Sequence, residues 1–335
     1  MYDFNRVIVT IVTYGSEKRF DYLSKVIEEL NSSQNVAGII LVDNGVTYDL
    51  QDRISRSNWT KKIWYIKMSQ NTGSAGGFKA GMKKFLELDS KYTTLLILDD
   101  DNLFHKSTFD LLFALEQKNN LNYAHVWGMY RPTKQASLFE GKTNISFAYF
   151  NNRVAGISIK AKLLPKTVQT PKKYSNIASH YMAPWGGTII SSEIIEKVGL
   201  PDENFYFYGD DMDYSIRLQK NGVKILIPKL GILTDLENSW NNASTHRVKS
   251  FFQDNSPKFR YLYSLRNNIY ASKKNKLDTS VLFKINILVY LLLVFLFYMP
   301  KNKQGFKNFN RLIGAITSGL KGDVGYNASY FEDER

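Results

Sequence analysis

Residues 95–101 read LLILDDD: Leu95, Leu96, Ile97 and Leu98 run straight into Asp99, Asp100 and Asp101. Four consecutive aliphatic residues are the mark of a strand buried on both faces. A strand that ends in charge delivers its carboxylates to the carboxyl edge of a sheet, which is where open α/β sheets bind ligands. Three adjacent like charges repel, so keeping them ionised requires a compensating cation. A hard divalent ion, Mn²⁺ or Mg²⁺, takes such oxygen ligands and bridges readily to the phosphates of a nucleotide. The plainer alternative is an acidic turn with solvated side chains.

The flanking chain supplies a sheet for that strand. Arg6–Thr13 (RVIVTIVT) is a β-rich run, and Phe20, Leu23, Val26, Ile27 and Leu30 follow at helical spacing. Gly38–Val42 and Ile63–Met68 read as further strands, and the glycine-rich stretch from Asn71 to Gly81 leads into a helix to about Leu88. Strands alternating with helices predict an α/β fold with a mostly parallel, doubly wound sheet. Asp43, at the tip of its strand in Asp43-Asn44-Gly45, suits either a ribose or base edge or simply a turn. Gly73, Gly76 and Gly77 lack the dinucleotide-binding spacing; they allow close backbone approach to phosphate at a helix start, or close helix-on-sheet packing.

Two later stretches carry chemistry. In Ala183–Ser192 (APWGGTIISS) an aromatic and two glycines precede a strand, and Ser191 or Ser192 caps the next helix. Trp185 can stack on a sugar or fill the core. Phe205–Gly222 (FYFYGDDMDYSIRLQKNG) reads as a helix that closes at Gly222. Asp210 and Asp211 fall in its first turn, one as cap; the helix dipole favours their ionised forms, leaving a carboxylate available as general base.

The chain of 335 residues has room for a large α/β domain plus an appendage. It has no cysteine, which excludes disulfides and thiolate metal sites and agrees with a cytosolic setting. Val7–Val12 is too short for a signal peptide and reads as a strand. The net charge is +13, and residues 241–335 hold 15 Lys and Arg against 6 Asp and Glu. No recognisable nucleic-acid module accompanies that charge, so an anionic lipid surface or anionic substrate is the expected partner rather than nucleic acid. Val281–Met299 is apolar except for Lys284 and Asn286, with lysines on both sides. An in-plane helix against anionic lipid is the reading, with a span or a buried helix as alternatives.

The motifs VTYG, VDNG, NTGSAGGFKAGM, LLILDDD, WGGTIISSEIIEKVGLP and YGDDMDYSIRLQKNG, with RYLYSLRNNIY after them, occur in an order that resembles inverting GT-A-fold glycosyltransferases of family 2. The nearest resemblance is to the galactofuranosyltransferase and rhamnosyltransferase branch. It covers about residues 5–270 and implies a catalytic domain over 1–240, with a nucleotide-sugar half to 103 and an acceptor half from 104. Residues 241–335 then form a basic helical region with the apolar helix 281–299, and the segment 277–335 is expected to act as a membrane-docking device apart from the catalytic core. The resemblance implies that Thr13, Asp43, Asn71, Gly73, Gly76, Gly77, Asp99 and Asp100 serve the UDP- or dTDP-sugar donor. Asp99 and Asp101 would hold the metal, with Asp235 or His246 replacing a histidine of the galactofuranosyl enzymes. Asp211 would be the base with Asp210 in support, and Trp185, Gly186, Asp213 and Tyr214 would face the acceptor.

The expected activity is metal-dependent transfer of a sugar, galactofuranose or alternatively rhamnose, to a polyprenyl-linked glycan. It would take place at the inner face of the cell membrane. A sugar-phosphate nucleotidyltransferase would show a glycine-rich loop with a lysine near Val7–Gly15, and none is present. A non-catalytic basic lipid- or nucleic-acid-binding protein would show no metal-dependent nucleotide binding.

Overall fold

The computed structural model describes all residues except 1, 141–149, 161–175, 238–246, 253–256, 302 and 335. Its strands are β1 Val7–Gly15, β2 Val36–Val46, β3 Lys62–Lys67, β4 Thr94–Asp99, β5 Asn102–Phe104, β6 His125–Gly128, β7 Ile177–Ser179, β8 Thr188–Ser191, β9 Lys224–Pro228 and β10 Leu233–Asp235. The longer helices are α1 Phe20–Asn31, α2 Leu50–Arg56, α3 Gly73–Leu86, α4 Ser107–Asn119, α5 Ser192–Val198, α6 Asp210–Lys220, α7 Lys258–Lys274, α8 Ser280–Phe297 and α9 Gly305–Lys321.

The main sheet runs β3-β2-β1-β4-β8-β6-β9-β7. Its first four strands are parallel, and β8 enters antiparallel between β4 and β6. Successive residues of each central strand point to opposite faces, so the aliphatic runs feed two cores at once. Val9, Ile11, Leu96 and Leu98 pack with α1 and α4, while Ile8, Val12, Leu95 and Ile97 pack with α3, α5 and α6. Register brings Thr13 opposite Asp43 and Val12 opposite Asp99, which aligns the acid-bearing strand ends on one edge. A second, two-stranded sheet pairs β5 with β10 and sets Asp235 opposite Asn102, next to the triple aspartate.

A third apolar cluster is built from α7, α8 and α9, including Leu262, Ile269, Phe283, Tyr290, Leu312 and Ile316. The chain beyond residue 240 is tied to the turn that precedes α6. Asn267 of α7 is fully buried and donates from Nδ2 to the carbonyls of Phe205, Phe207 and Tyr208, at 2.7, 2.9 and 2.8 Å. These residues immediately precede α6. The RYLYSLRNNIY stretch is therefore part of the scaffold that shapes the GDD turn.

Candidate functional site

The donor-side residues fall into two groups. Thr13 Oγ1 donates to Asp100 Oδ2 at 2.7 Å, and Arg19 Nε donates to the same oxygen at 2.9 Å. A second Arg19 nitrogen closes a bidentate pair on Oδ1, so Asp100 is neutralised from within the protein. Asp43 is buried: its Oδ1 accepts from the N–H groups of Gly45 and Val46, and its Oδ2 from Tyr65 Oη at 2.6 Å. These bonds shape the turn at the end of β2.

Asn71 Oδ1 accepts from Gly73 N, holding the entry to α3. The glycines of α3 serve close packing. A β-carbon on Gly77 would lie 2.6 Å from Val12 Cγ1, one on Gly76 would collide with Thr72, and one on Gly73 would collide with the Tyr206 carbonyl. Gly73 also has φ +70, a conformation that glycine adopts without strain.

Asp99 and Asp101 lack an ion-pair partner among the described residues. Burial, reinforced by the charge of Asp101, pushes Asp99 up to about 7, and burial with the charge of Asp100 pushes Asp101 up to about 6. Such a pair lacks a compensating cation. No cluster of three or more His, Asp or Glu able to hold a metal is found among the described residues. Two carboxylates completed by substrate phosphates are a usual Mg²⁺ arrangement, so Asp99 and Asp101 fit an Mn²⁺ or Mg²⁺ ion carried with a nucleotide.

Asp235 reaches this edge but is already engaged. Its Oδ1 accepts from Arg131 Nε at 3.1 Å and from Asn102, and its Oδ2 is paired with Lys134. Burial pushes its carboxyl up, but the two cations outweigh it and hold it below the usual range. The structure thus gives Asp235 to an arginine–lysine cluster rather than leaving it open as a third ligand. His246 lies outside the described residues.

The second acidic focus is joined to the first by two consecutive residues. Trp185 Nε1 donates to Asp210 Oδ2 at 2.8 Å. At Gly186, a β-carbon would overlap Asn102 Oδ1 and stand 2.6 Å from Asp99 Oδ2. The Gly186 carbonyl accepts from Arg131 Nη2 at 2.9 Å. Arg131 is buried, and its Nη1 makes no hydrogen bond among the described residues. Its charge lowers both Asp99 and Asp211, opposing their larger burial effects.

Asp210 and Asp211 open α6 as the sequence predicts, but neither is the cap; Gly209, at φ +90, holds that place. Asp210 is buried and also accepts from Ser74 Oγ at 2.8 Å. Asp211 is partly exposed and, among the described residues, its side chain accepts only from its neighbour's N–H at Met212. The helix dipole does not win at this turn. Burial and the adjacent Asp210 charge raise Asp211 to about 7, which suits a base operating near neutrality.

Other acceptor-side assignments are filled by structure. Trp185 is buried between Phe78 and Tyr214, with ring centroids 5.4 and 5.0 Å away. Tyr214 itself is buried. Asp213 is buried and takes Arg217, Lys274 and Asn275, binding α6 to α7. Sequence reasoning missed Arg19, Arg131 and Asn267 as site-shaping residues. Asn267 alone carried a signal, through the tyrosine- and asparagine-rich stretch around it.

The family model described as glycosyl transferase family 2 matches residues 8–168. A dTDP-rhamnosyl transferase, RfbF of Shigella flexneri, is 24% identical over 97% of this chain and 99% of that protein. A low-salt glycan biosynthesis hexosyltransferase, Agl10 of Haloferax volcanii, is 24% identical over 65% of this chain and 62% of its own length. Among solved structures, GalNAc-T7 with UDP, GalNAc and Mn²⁺ aligns with a TM-score of 0.52 at 14% identity. That match covers 81% of this chain and 48% of the other and shows a shared fold, of the GT-A type.

Proposed function

We propose, from the premise that the chain is a glycosyltransferase with a family 2 domain, that it moves a hexose from a nucleoside-diphosphate sugar to a lipid-linked or growing cell-surface glycan. Rhamnose from dTDP-rhamnose is the favoured donor, because the full-length likeness is to a dTDP-rhamnosyl transferase; galactofuranose has no comparable support. The observation that carries the reading is the bridge Trp185–Gly186, which touches Asp210 on one side and Asp99 on the other. It links the turn that carries Asp211 to the strand end that carries Asp99.

In this mechanism Asp211 takes the proton of the acceptor hydroxyl as its oxygen bonds to the anomeric carbon. The bond from that carbon to the donor diphosphate breaks on the opposite face, and its electron pair leaves with the diphosphate, so configuration inverts. One base suffices, unlike the two carboxylates of glycoside hydrolases. Arg131 Nη1 has hydrogen-bonding capacity to offer a leaving phosphate oxygen. A divalent ion held by Asp99 and Asp101 would supply Lewis-acid neutralisation of the same charge.

The test is release of dTDP or UDP over a panel of nucleotide sugars with an isolated lipid-linked glycan fraction. Turnover with dTDP-rhamnose and none with UDP-galactofuranose is expected; the reverse ranking would overturn the donor assignment. Asp101→Ala should remove Mn²⁺-dependent binding of the nucleoside diphosphate in calorimetry, with the fold retained because β4 keeps its core contacts. Unchanged affinity in that variant would remove the metal assignment.

The reading includes a docked, in-plane α8 at an anionic cytoplasmic membrane surface. α8 has the length and composition of a span, 18 residues or about 27 Å at ~1.5 Å per residue. One stripe is held by the protein: Asn286 is buried, donating to the Asn152 carbonyl at 2.7 Å and accepting from Ile159 N, and Tyr290 bonds Tyr261. The opposite stripe, Val281, Ile285, Leu288, Leu292 and Leu296, is exposed, and Phe306 of α9 is exposed with it. Lys284, Lys301, Lys303 and Lys307 are also exposed, and no acidic residue occurs between Asp278 and Asp323. This combination suits an anionic lipid surface.

Flotation with phosphatidylglycerol vesicles should exceed that with phosphatidylcholine and weaken in high salt. Leu288→Gln with Leu292→Gln should reduce it without unfolding the chain, since both side chains face outward. Resistance to alkaline carbonate extraction would instead indicate a span.

A further inference from the structure

A cleft of about 500 Å³ is lined by Gln70, Asn71, Thr72, Glu203, Tyr206 and Tyr326. Its walls come from the turn before α3, the segment before α6 and the tail after α9. Tyr206 lies there at φ 64 and ψ −75, an unfavourable conformation for a bulky L-residue. Three features hold it in place. Asn267 clamps the carbonyls of Phe205 and Phe207 on either side, Ala75 N donates to the Tyr206 carbonyl at 3.0 Å, and Gly73 leaves room for that approach.

The strain sets the Tyr206 ring edge-on to Tyr326, with centroids 5.4 Å apart, and Phe331 stacks behind Tyr326 at 5.8 Å. Tyr326 is nevertheless 62% exposed. An exposed and a half-buried tyrosine, backed by a third ring and rimmed by amides, a hydroxyl and a carboxylate, match the two-sided chemistry of a pyranose, which has a C–H face and a ring of hydroxyls. The cleft also shares its floor with the turn that carries Asp210 and Asp211. Residues 73–75 contact Tyr206 through Ala75 N and Asp210 through Ser74 Oγ.

We infer that this cleft is an acceptor subsite, binding one hexopyranoside ring of the acceptor glycan against Tyr206 and Tyr326. The inference rests on the reading of Asp211 as the base for sugar transfer. It places the tail after α9 in acceptor recognition, a role separate from the apolar stripe of α8.

The test is saturation-transfer NMR on the full chain with a panel of methyl glycosides and disaccharides of rhamnose, galactose and N-acetylglucosamine. Kinetics with the productive donor run in parallel. At least one panel glycan should receive saturation from wild-type protein. Tyr326→Ala should lose that signal and raise the acceptor KM roughly tenfold, the loss expected for one well-packed aromatic contact, while Tyr326→Trp should restore both. Affinity for the nucleoside diphosphate should not move. Glycan binding lost in Tyr326→Ala but no transfer from any donor would support the subsite while the glycosyl-transfer reading fell. Transfer in wild type with an unaltered acceptor KM in Tyr326→Ala would overturn the subsite and leave that reading intact. Weaker nucleotide binding in Tyr326→Ala would assign the cleft to the donor base and also overturn it.

Discussion

Asp211→Asn should lower glycosyl transfer by roughly 10²–10⁴-fold, the usual loss on removing a general base. Nucleoside diphosphate affinity should hold, because Asp99 and Asp101 belong to a different strand end. Wild-type turnover should fall as pH drops below about 7, where burial and the Asp210 charge cause Asp211 to take up its proton. Asp210→Asn removes that neighbouring charge while keeping an oxygen for Trp185 and Ser74. Its turnover loss should be smaller, and the acid limb should move to lower pH. Stability supplies an independent check. A carboxylate whose folded pKa is raised is destabilising once ionised, with the cost growing between the unfolded value near 4 and the folded value near 7. Asp211→Asn should therefore melt no lower than wild type at pH 8. An active Asp211→Asn with an inactive Asp210→Asn would shift the base by one residue, and full activity in both would remove it from this turn.

Asn267→Ala should disable the enzyme from outside the cleft. The side chain supplies donors to three carbonyls of the turn before α6. Each buried polar group left without a partner costs about 1–3 kcal/mol, so a loss of at least about 3 kcal/mol is expected in denaturant unfolding. Without the clamp, Tyr206 and Tyr208, both at positive φ, can relax to ordinary backbone conformations, carrying Asp210 and Asp211 out of place. Transfer should fall at least 100-fold at temperatures where the variant remains folded, as sub-ångström misplacement of catalytic groups is enough for losses of that size. A variant that is destabilised but has wild-type kcat would show that the clamp serves stability alone. The same contacts imply that removing residues 277–335 should unfold α7 rather than release a working soluble enzyme, because Ile269 and Leu262 pack against Leu312 and Ile316.

The parallel half of the fold was legible because a strand buried on both faces must be aliphatic throughout. LLIL, IVTIV and GIILV cannot easily be anything else over so short a length. The GDD turn was legible for the same local reason: an acidic first turn followed by an amphipathic helix that closes at a glycine. The antiparallel entry of β8 beside β4 was not legible. Its four residues, Thr188–Ser191, carry no mark of pairing direction, which is set by the connection. Pairing of β10 with β5 joins residues about 130 positions apart and leaves no local pattern.

The amino-acid sequence by itself determined where the carboxylates stand, since strand ends and helix starts are fixed by short-range periodicity and turn chemistry. It also determined the basic and apolar character of the chain's last third. Only the tertiary structure decided which carboxylates are free to act. Asp43, Asp100, Asp213 and Asp235 are spent on Tyr65, Arg19, Lys274 and Arg131, each brought from a distant part of the chain. Asp99, Asp101 and Asp211 have no such partners among the described residues, and desolvation with like-charged neighbours raises their pKa values. An aspartate's role depends on what engages it, and Tyr65, Lys274, Arg19 and Arg131 lie 22, 61, 81 and 104 residues away along the chain.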